Sequence, residues 1–206
     1  MERLRVSPTK SNLIRIREEL AFAREGKDLL SQKREVLVME LMRLQDDAQK
    51  ARDELDELLA RGYRAFAEAT VQNGFDGMGR LALASPELPE VRIHERGVMG
   101  VVVPIVDKPK VEWQVRYGLA AAPLAADRAG RILYEAIAKL LEVAEIETAI
   151  YRLAAETRKT LRRERALENL FIPQYQQTVK FIQENLEEKE RENFYQLKLL
   201  KGKGRS

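Results

Sequence analysis

Cysteine is absent from the 206 residues, histidine and tryptophan occur once each, and only 6% of positions are aromatic. Without cysteine there is no disulfide framework, no thiol nucleophile and no cysteine-ligated zinc, a pattern that suits a reducing compartment. The lone histidine, His94, cannot assemble a multi-histidine metal site or a serine–histidine triad, and it reads as a strand residue near a turn. Long hydrophobic runs are missing as well. The longest charge-free stretches, Gly97 to Val106 and Tyr117 to Ala126, fall well short of the ~20 apolar residues that span a bilayer as a helix, so direct membrane insertion is not expected. The opening Met1-Glu2-Arg3-Leu4-Arg5 lacks the apolar core of a secretory signal, and the mature chain is expected to start there. Charge of one sign is scarce too: 36 Lys and Arg against 33 Asp and Glu leave +3, weaker than a nucleic-acid footprint normally is. Only the extreme C-terminus, with Lys198, Lys201, Lys203 and Arg205, is distinctly basic.

What the chain does have is charge of both signs at 33% of positions and long tracts of Ala, Leu, Glu, Lys and Arg at both ends, with Gly and Pro gathered between about Gly74 and Pro123. That arrangement suits two long helices around an insert better than a thick globular core. Ser7-Pro8-Thr9 supplies a helix start, since proline fits the first turn and a hydroxyl can cap exposed amides. Steps of three and four then give Leu13, Ile16, Leu20, Ala23, Lys27, Leu30, Arg34, Leu37, Leu41, Leu44, Ala48, Ala51, Leu55, Leu58, Gly62, Ala65 and Ala69. Such a repeat, held for about eight heptads, is the mark of a left-handed coiled-coil seam. Sixty-odd helical residues would reach roughly 90 to 100 Å.

Lys27 and Arg34 interrupt this stripe one heptad apart. Two readings stand side by side: their long stems snorkel to water, or a buried polar group sets the register of the helix pair. Gly62 likewise either permits close approach of a second helix or is a tolerated surface glycine.

The second half shows the same habit less regularly, through Val143, Ile146, Ile150, Leu153, Leu161, Leu167, Phe171, Tyr175, Val179, Ile182, Leu186, Leu197 and Leu200. The seam drifts between Thr157 and Ile172, and Pro173 removes a backbone donor, so a bend is expected there. Between the helices, residues 91–106 are β-branched and carry Gly97 and Gly100, which predicts a short hairpin packed on the helices or on a partner. The reading is therefore mainly α: a long antiparallel two-helix coiled coil, residues 8–74 and 123–200, a foot region at 75–122 holding the hairpin, and a basic flexible tail at 201–206.

No nucleotide, metal or catalytic signature accompanies this architecture. There is no G-x-x-x-x-G-K-[ST] string, and Gly74 to Gly79 reads as a flexible connector. Adjacent acidic pairs such as Glu18-Glu19, Asp46-Asp47 and Glu187-Glu188 point about 100° apart on a helix and form solvated faces. Trp113 with Tyr117 reads as packing within the foot ahead of a partner-facing anchor. No cofactor is implied.

The local strings add a resemblance. Pro8-Thr9-Lys10 followed by Leu13, Leu20, Ala23, Gly26, Leu29-Leu30, Lys33-Arg34 and Leu37 is similar to the start of the D subunit of the V-type and archaeal A-type rotary ATPases. Arg162-Arg163, Ala166-Leu167-Glu168, Ile172-Pro173, Thr178, Ile182, Leu186-Glu187-Glu188, Glu190-Arg191-Glu192, Phe194 and Leu197-Lys198 resemble that family's C-terminal helix. Val98-Met99-Gly100-Val101 with Pro104 resembles its hairpin. Glu164-Arg165 stands where the family commonly has Val-Asn.

The resemblance implies a non-catalytic central rotor shaft on the cytoplasmic side of a membrane. Its paired helices would turn inside a hexamer of three A and three B subunits, coupling translocation of ions, expected to be protons, to ATP synthesis or hydrolysis. A small F subunit would pack on the shaft and a funnel subunit, C or d, would join it to the membrane ring. The expected hexamer contacts are the basic and polar tips, Thr9, Lys10, Arg15, Arg17, Arg24, Arg191, Lys198 and Lys201. Two rivals remain from the residues alone: a coiled-coil arm that binds nucleic acid through its basic tip, and a self-associating scaffold.

Overall fold

The computed structural model describes residues 3–85, 90–107 and 124–203, the last five of these by backbone alone. The chain order is a helix, a hairpin and a second helical run: α1 (Lys10–Leu83), β1 (Ile93–Val98), β2 (Val101–Val106), α2 (Leu124–Ala166), a π-helical turn (Leu167–Phe171) and α3 (Ile172–Lys203). The helices contribute to two units, one of residues 1–36 with 157–206 and the other of residues 37–156.

In the first unit α1 begins as its sequence predicts. The Thr9 hydroxyl accepts the Asn12 amide at 3.2 Å, and the Asn12 side chain donates to the Ser7 carbonyl at 2.8 Å, so the exposed amides and the preceding turn are both satisfied. Ile16, Ala23 and Ile182 form the buried stripe of this unit, joined by Thr160, Glu164 and Thr178. Lys10 pairs with Glu190 and Arg34 with Glu164, so position rises along one helix as it falls along the other, and the pair is antiparallel.

The drift read between Thr157 and Ile172 is resolved by the π turn. The Ile172 amide donates to the Leu167 carbonyl, five residues back, which inserts one extra residue into the helix just before Pro173. Pro173 has no amide to offer Asn169 and its ring crowds that carbonyl, so widening the preceding turn relieves both problems. One consequence corrects the sequence reading: Phe171, expected on the seam, is 40% exposed, and Ile172 and Tyr175 are the half-buried residues on either side of Pro173. An added residue rotates every later side chain by about 100° relative to the heptad count.

In the second unit the apolar stripes of α1 and α2 meet in consecutive clusters. Leu37, Ala149 and Leu153 pack with Val101 and Val103 of the hairpin; Ala51, Leu55 and Leu58 pack with Ala136 and Val143; Ala69 and Leu81 pack with Ala126. Arg52–Glu147, Glu54–Lys139 and Glu68–Arg128 run along the flanks and again mark an antiparallel pair. Of the other expected seam residues, Leu13, Leu20, Leu30, Leu41, Leu44, Ile150 and Leu186 are half-buried.

Gly62 is buried, and a Cβ added there would lie 2.8 Å from Leu133 Cδ2 and 3.1 Å from its Cγ, so the glycine permits close approach of α2. Gly62→Leu is expected to lower the stability of this unit by about 2 kcal/mol through overpacking, despite the better helix propensity of leucine. Urea unfolding would measure it, and an unchanged midpoint would show that the contact is not tight.

The exit from α1 differs from the flexible connector read at Gly74 to Gly79. The backbone leaves helical geometry at Gly74 alone (φ 68°, ψ 167°), a left-handed conformation that glycine adopts without strain, and then resumes helix to Leu83. Met78 and Leu81 pack against Ala69 and Ala126, and that burial is what holds the last stretch helical. At the other end, α3 continues to Lys203, three residues past the expected end of the helix. Trp113 and Tyr117 lie outside the described residues.

Candidate functional site

Three features of the described residues carry chemistry beyond simple packing: the hairpin, a polar step in the seam, and the ends of α1 and α3. The hairpin turns at Met99-Gly100, both with positive φ (49° and 80°), the type I′ geometry whose twist matches antiparallel strands. Val98 faces Val101, Glu95 faces Pro104 and Ile93 faces Val106. The Asp107 amide donates to the Arg92 carbonyl at 2.9 Å, so the hydrogen-bonded pairs are 92/107, 94/105, 96/103 and 98/101. Pro104 therefore sits in a non-hydrogen-bonded pair, where no ladder donor is required of it.

Two of the outward backbone groups of β2 are bonded by α2. Arg152 Nη1 donates to the Val102 carbonyl at 2.9 Å, and the Val106 amide donates to Glu145 Oε2 at 2.8 Å. Together with the buried Val101 and Val103, these bonds fasten one strand of the hairpin to the helices. His94 Nε2 lies 2.9 Å from Asp107 Oδ2 at an exposed cross-strand position.

At the polar step Arg34 is paired across the seam. Its Nε donates to Glu164 Oε2 at 2.7 Å and its Nη2 to Glu164 Oε1 at 3.4 Å, a two-pronged contact with a carboxylate whose residue is only 8% exposed. The hydrogen bond from Arg34 holds the Glu164 carboxyl below the usual carboxylate range, against the opposing effect of burial; Ser31 and the charge of Lys27 act in the same direction as Arg34. Arg34 also reaches the Ser31 hydroxyl at 3.4 Å, and Lys27 lies 3.4 Å from Asp28. Sequence reasoning finds Lys27 and Arg34 by their interruption of the stripe but does not match them to Glu164, which stands between Arg163 and Arg165 where the stripe drifts.

At the ends, Lys10 pairs with Glu190 at 3.1 Å and Arg15 stands 3.8 Å from Glu19. Arg17, Arg24, Arg191 and Lys198 are exposed, as are Thr9, Lys10 and Arg15; the Lys201 side chain lies outside the described residues. Thr9 is engaged in capping α1, a structural duty beside any contact it makes. Beyond Glu190, Phe194, Tyr195 and Leu197 are each about two-thirds exposed. A feature the sequence does not signal is the segment before α1. The Leu4 amide donates to the buried Thr178 hydroxyl at 3.1 Å, and the Arg3 guanidinium lies 3.5 Å above the Phe181 ring. A hydroxyl buried in a helix stripe is a weak signal until the segment that uses it is in place.

Among the described residues, no three His, Asp or Glu side chains come together as a metal site, and no helix is long and apolar enough to cross a membrane. The described residues display antiparallel helix pairs, a hairpin and an exposed, mixed apolar and basic helix end. That combination defines a mainly helical protein of paired long helices with a hairpin between them.

The comparisons with known proteins agree. The family of the ATP synthase D subunit matches residues 12–202. The D subunit of the V-type ATP synthase of Thermotoga neapolitana is 38% identical over 198 residues, covering 96% of this chain and 98% of the relative. The D subunit of the A-type ATP synthase of Methanopyrus kandleri is 38% identical over 198 residues, covering 95% and 85%, and that of Thermococcus kodakarensis 34% over 203 residues, covering 97% and 95%. The chain belongs to the ATP synthase D-subunit family.

Proposed function

We propose that this chain is the non-catalytic central rotor shaft of a V/A-type ATP synthase, turning inside a hexamer of three A and three B subunits on the cytoplasmic side of a membrane. The observation that carries the reading, beside family membership, is the end of α3. Phe194, Tyr195 and Leu197 are exposed there next to Arg191 and Lys198, a surface suited to a surrounding protein collar. A small F subunit on the shaft and a funnel subunit, C or d, at the foot complete the connection to a membrane ring that moves protons.

The mechanism needs no chemistry from the shaft. An asymmetric rotor presents a different face to each of three A–B pairs, and the difference in contact free energy biases each pair towards an open or a closed state. Rotation exchanges those states in order, so that ion flow drives synthesis and hydrolysis drives the reverse turn. The contacts proposed are Thr9, Lys10, Arg15, Arg17, Arg24, Arg191, Lys198 and Lys201.

Native mass spectrometry of the tagged, co-purified chain tests the assignment. One copy with a small F-like subunit and a three-plus-three nucleotide-binding hexamer is the expected result; recovery with RNA alone, or as a lone homo-oligomer, overturns it. Charge reversal at Arg15, Arg17 and Lys198 together is expected to weaken hexamer capture at least about tenfold, the equivalent of roughly 1.4 kcal/mol. Unchanged capture and coupling would remove these three side chains from the proposed contact.

A further inference from the structure

We propose that the outer edge of β1 receives an extended strand from a neighbouring subunit, adding a third strand to the hairpin; this rests on the reading of the chain as part of an assembled motor. The two edges of the hairpin are not equivalent. On β2, the outward carbonyl of Val102 and the outward amide of Val106 are bonded by Arg152 and Glu145 of α2. On β1, the ladder uses the backbone groups of His94, Arg96 and Val98, so those of Ile93, Glu95 and Gly97 point away from β2. Among the described residues, these groups have no partner, and β1 is exposed along its length up to Gly97, with Ile93 64% exposed.

A row of aligned, unpaired amides and carbonyls is complementary to an extended backbone and to little else. The rest of the hairpin is anchored by the buried Val101 and Val103, so a strand added to β1 would be held against a fixed template. That helps to offset the ordering cost that makes lone hairpins poor binding elements.

Charge selects the occupant. Were a second copy of this chain to pair antiparallel through β1, the outward-pointing residues 93, 95 and 97 would have to face one another. Centring on Glu95 sets two glutamates opposite and His94 against Arg96; shifting one way sets Arg96 against Arg96, and the other way His94 against His94. None of these three registers sets unlike charges directly opposite, and like charges directly opposite are destabilising. The fitting partner is a different chain, whose strand alternates an acidic side chain beside Arg96 with a basic or β-branched one beside Glu95. Arg96 lies on the same face of the hairpin as Val103, the face packed on the helices, and its positive charge is felt by Glu40 of α1. The acidic partner would therefore sit on the sheltered side.

Residue-resolved amide exchange on the full chain, alone and within the purified native complex, tests this. In the free chain the amides of Glu95 and Gly97 should exchange fast, and those of Arg96 and Val98 slowly because β2 already holds them. In the complex the Glu95 and Gly97 amides should slow by at least about a hundredfold, which removes the alternation. An intact complex in which they stay as fast as in the free chain overturns the strand addition while leaving the shaft reading untouched. Slow exchange of the same amides in the free chain, rising with its concentration, would also overturn it, because the occupant would then be a second copy.

Discussion

Leu153→Ala will lower the stability of the unit formed by residues 37–156 by about 3 kcal/mol and loosen the hairpin from the helices. Leu153 is fully buried, and its neighbours are Leu37 of α1, Ala149 of its own helix, and Val101 and Val103 of β2. Truncation removes the transfer free energy of the deleted carbons and leaves a void that two helices and a strand cannot all close at once. Because β2 is fastened by this cluster together with the bonds from Arg152 and Glu145, exchange of the Arg96 and Val98 amides should accelerate with the same change. A matched substitution at Leu197, which is 65% exposed, should cost less than about 0.5 kcal/mol. Urea unfolding of the two variants makes the comparison, and near-equal losses would mean that the hairpin is not anchored through Leu153.

The second large effect concerns Arg34 and Glu164. Either Arg34→Leu or Glu164→Leu alone is expected to lower Tm by roughly 5 °C, since each strands a charge in the seam, whereas the double leucine variant should recover most of the loss. The partial exposure of Arg34 keeps the single-variant cost below that of a fully enclosed pair.

The pH dependence has a defined sign. The Arg34 hydrogen bond depresses the folded-state pKa of Glu164 below its unfolded value, so the stabilisation is fully present above the ordinary carboxylate range. It is lost as pH falls through the depressed folded value. The wild-type advantage over Glu164→Leu should therefore shrink below about pH 4. An advantage that held constant from neutral to acid would show that the carboxylate is not the origin of the effect.

If the double variant is as stable as wild type but its helices sample alternative pairings, the ion pair sets register. Disulfide trapping from a cysteine pair placed across the seam of the first unit, in a chain that has no cysteine of its own, would read this directly. A single trapped register in the double variant would leave the pair without that role.

Much of the architecture is legible because periodicity is a local property. Counting alone places Ile16, Ala23, Leu37, Ala51, Leu55, Leu58, Ala65 and Ala69 on the seam, and all are buried. β-Branched residues and two glycines place a short hairpin within residues 91–106, and both strands and their turn lie there. Counting fails where the helix itself changes pitch: the π turn before Pro173 moves Phe171 off the stripe. It fails again where helix depends on burial, at residues 75–83, whose glycines suggest a loop until Met78 and Leu81 find Ala69 and Ala126.

The two long helices, the hairpin between them and their order along the chain follow from the amino acids alone, because side-chain spacing and backbone preference act within a few residues. Which charge meets which is settled by packing. Arg34 and Glu164 are 130 positions apart, as the Leu4 amide and the Thr178 hydroxyl are 174 apart. Distances set by the packing of one helix on another leave no mark in local spacing. The same holds for the hairpin's edges: β2 lies beside α2, which bonds two of its outward backbone groups, whereas those of β1 have no partner among the described residues.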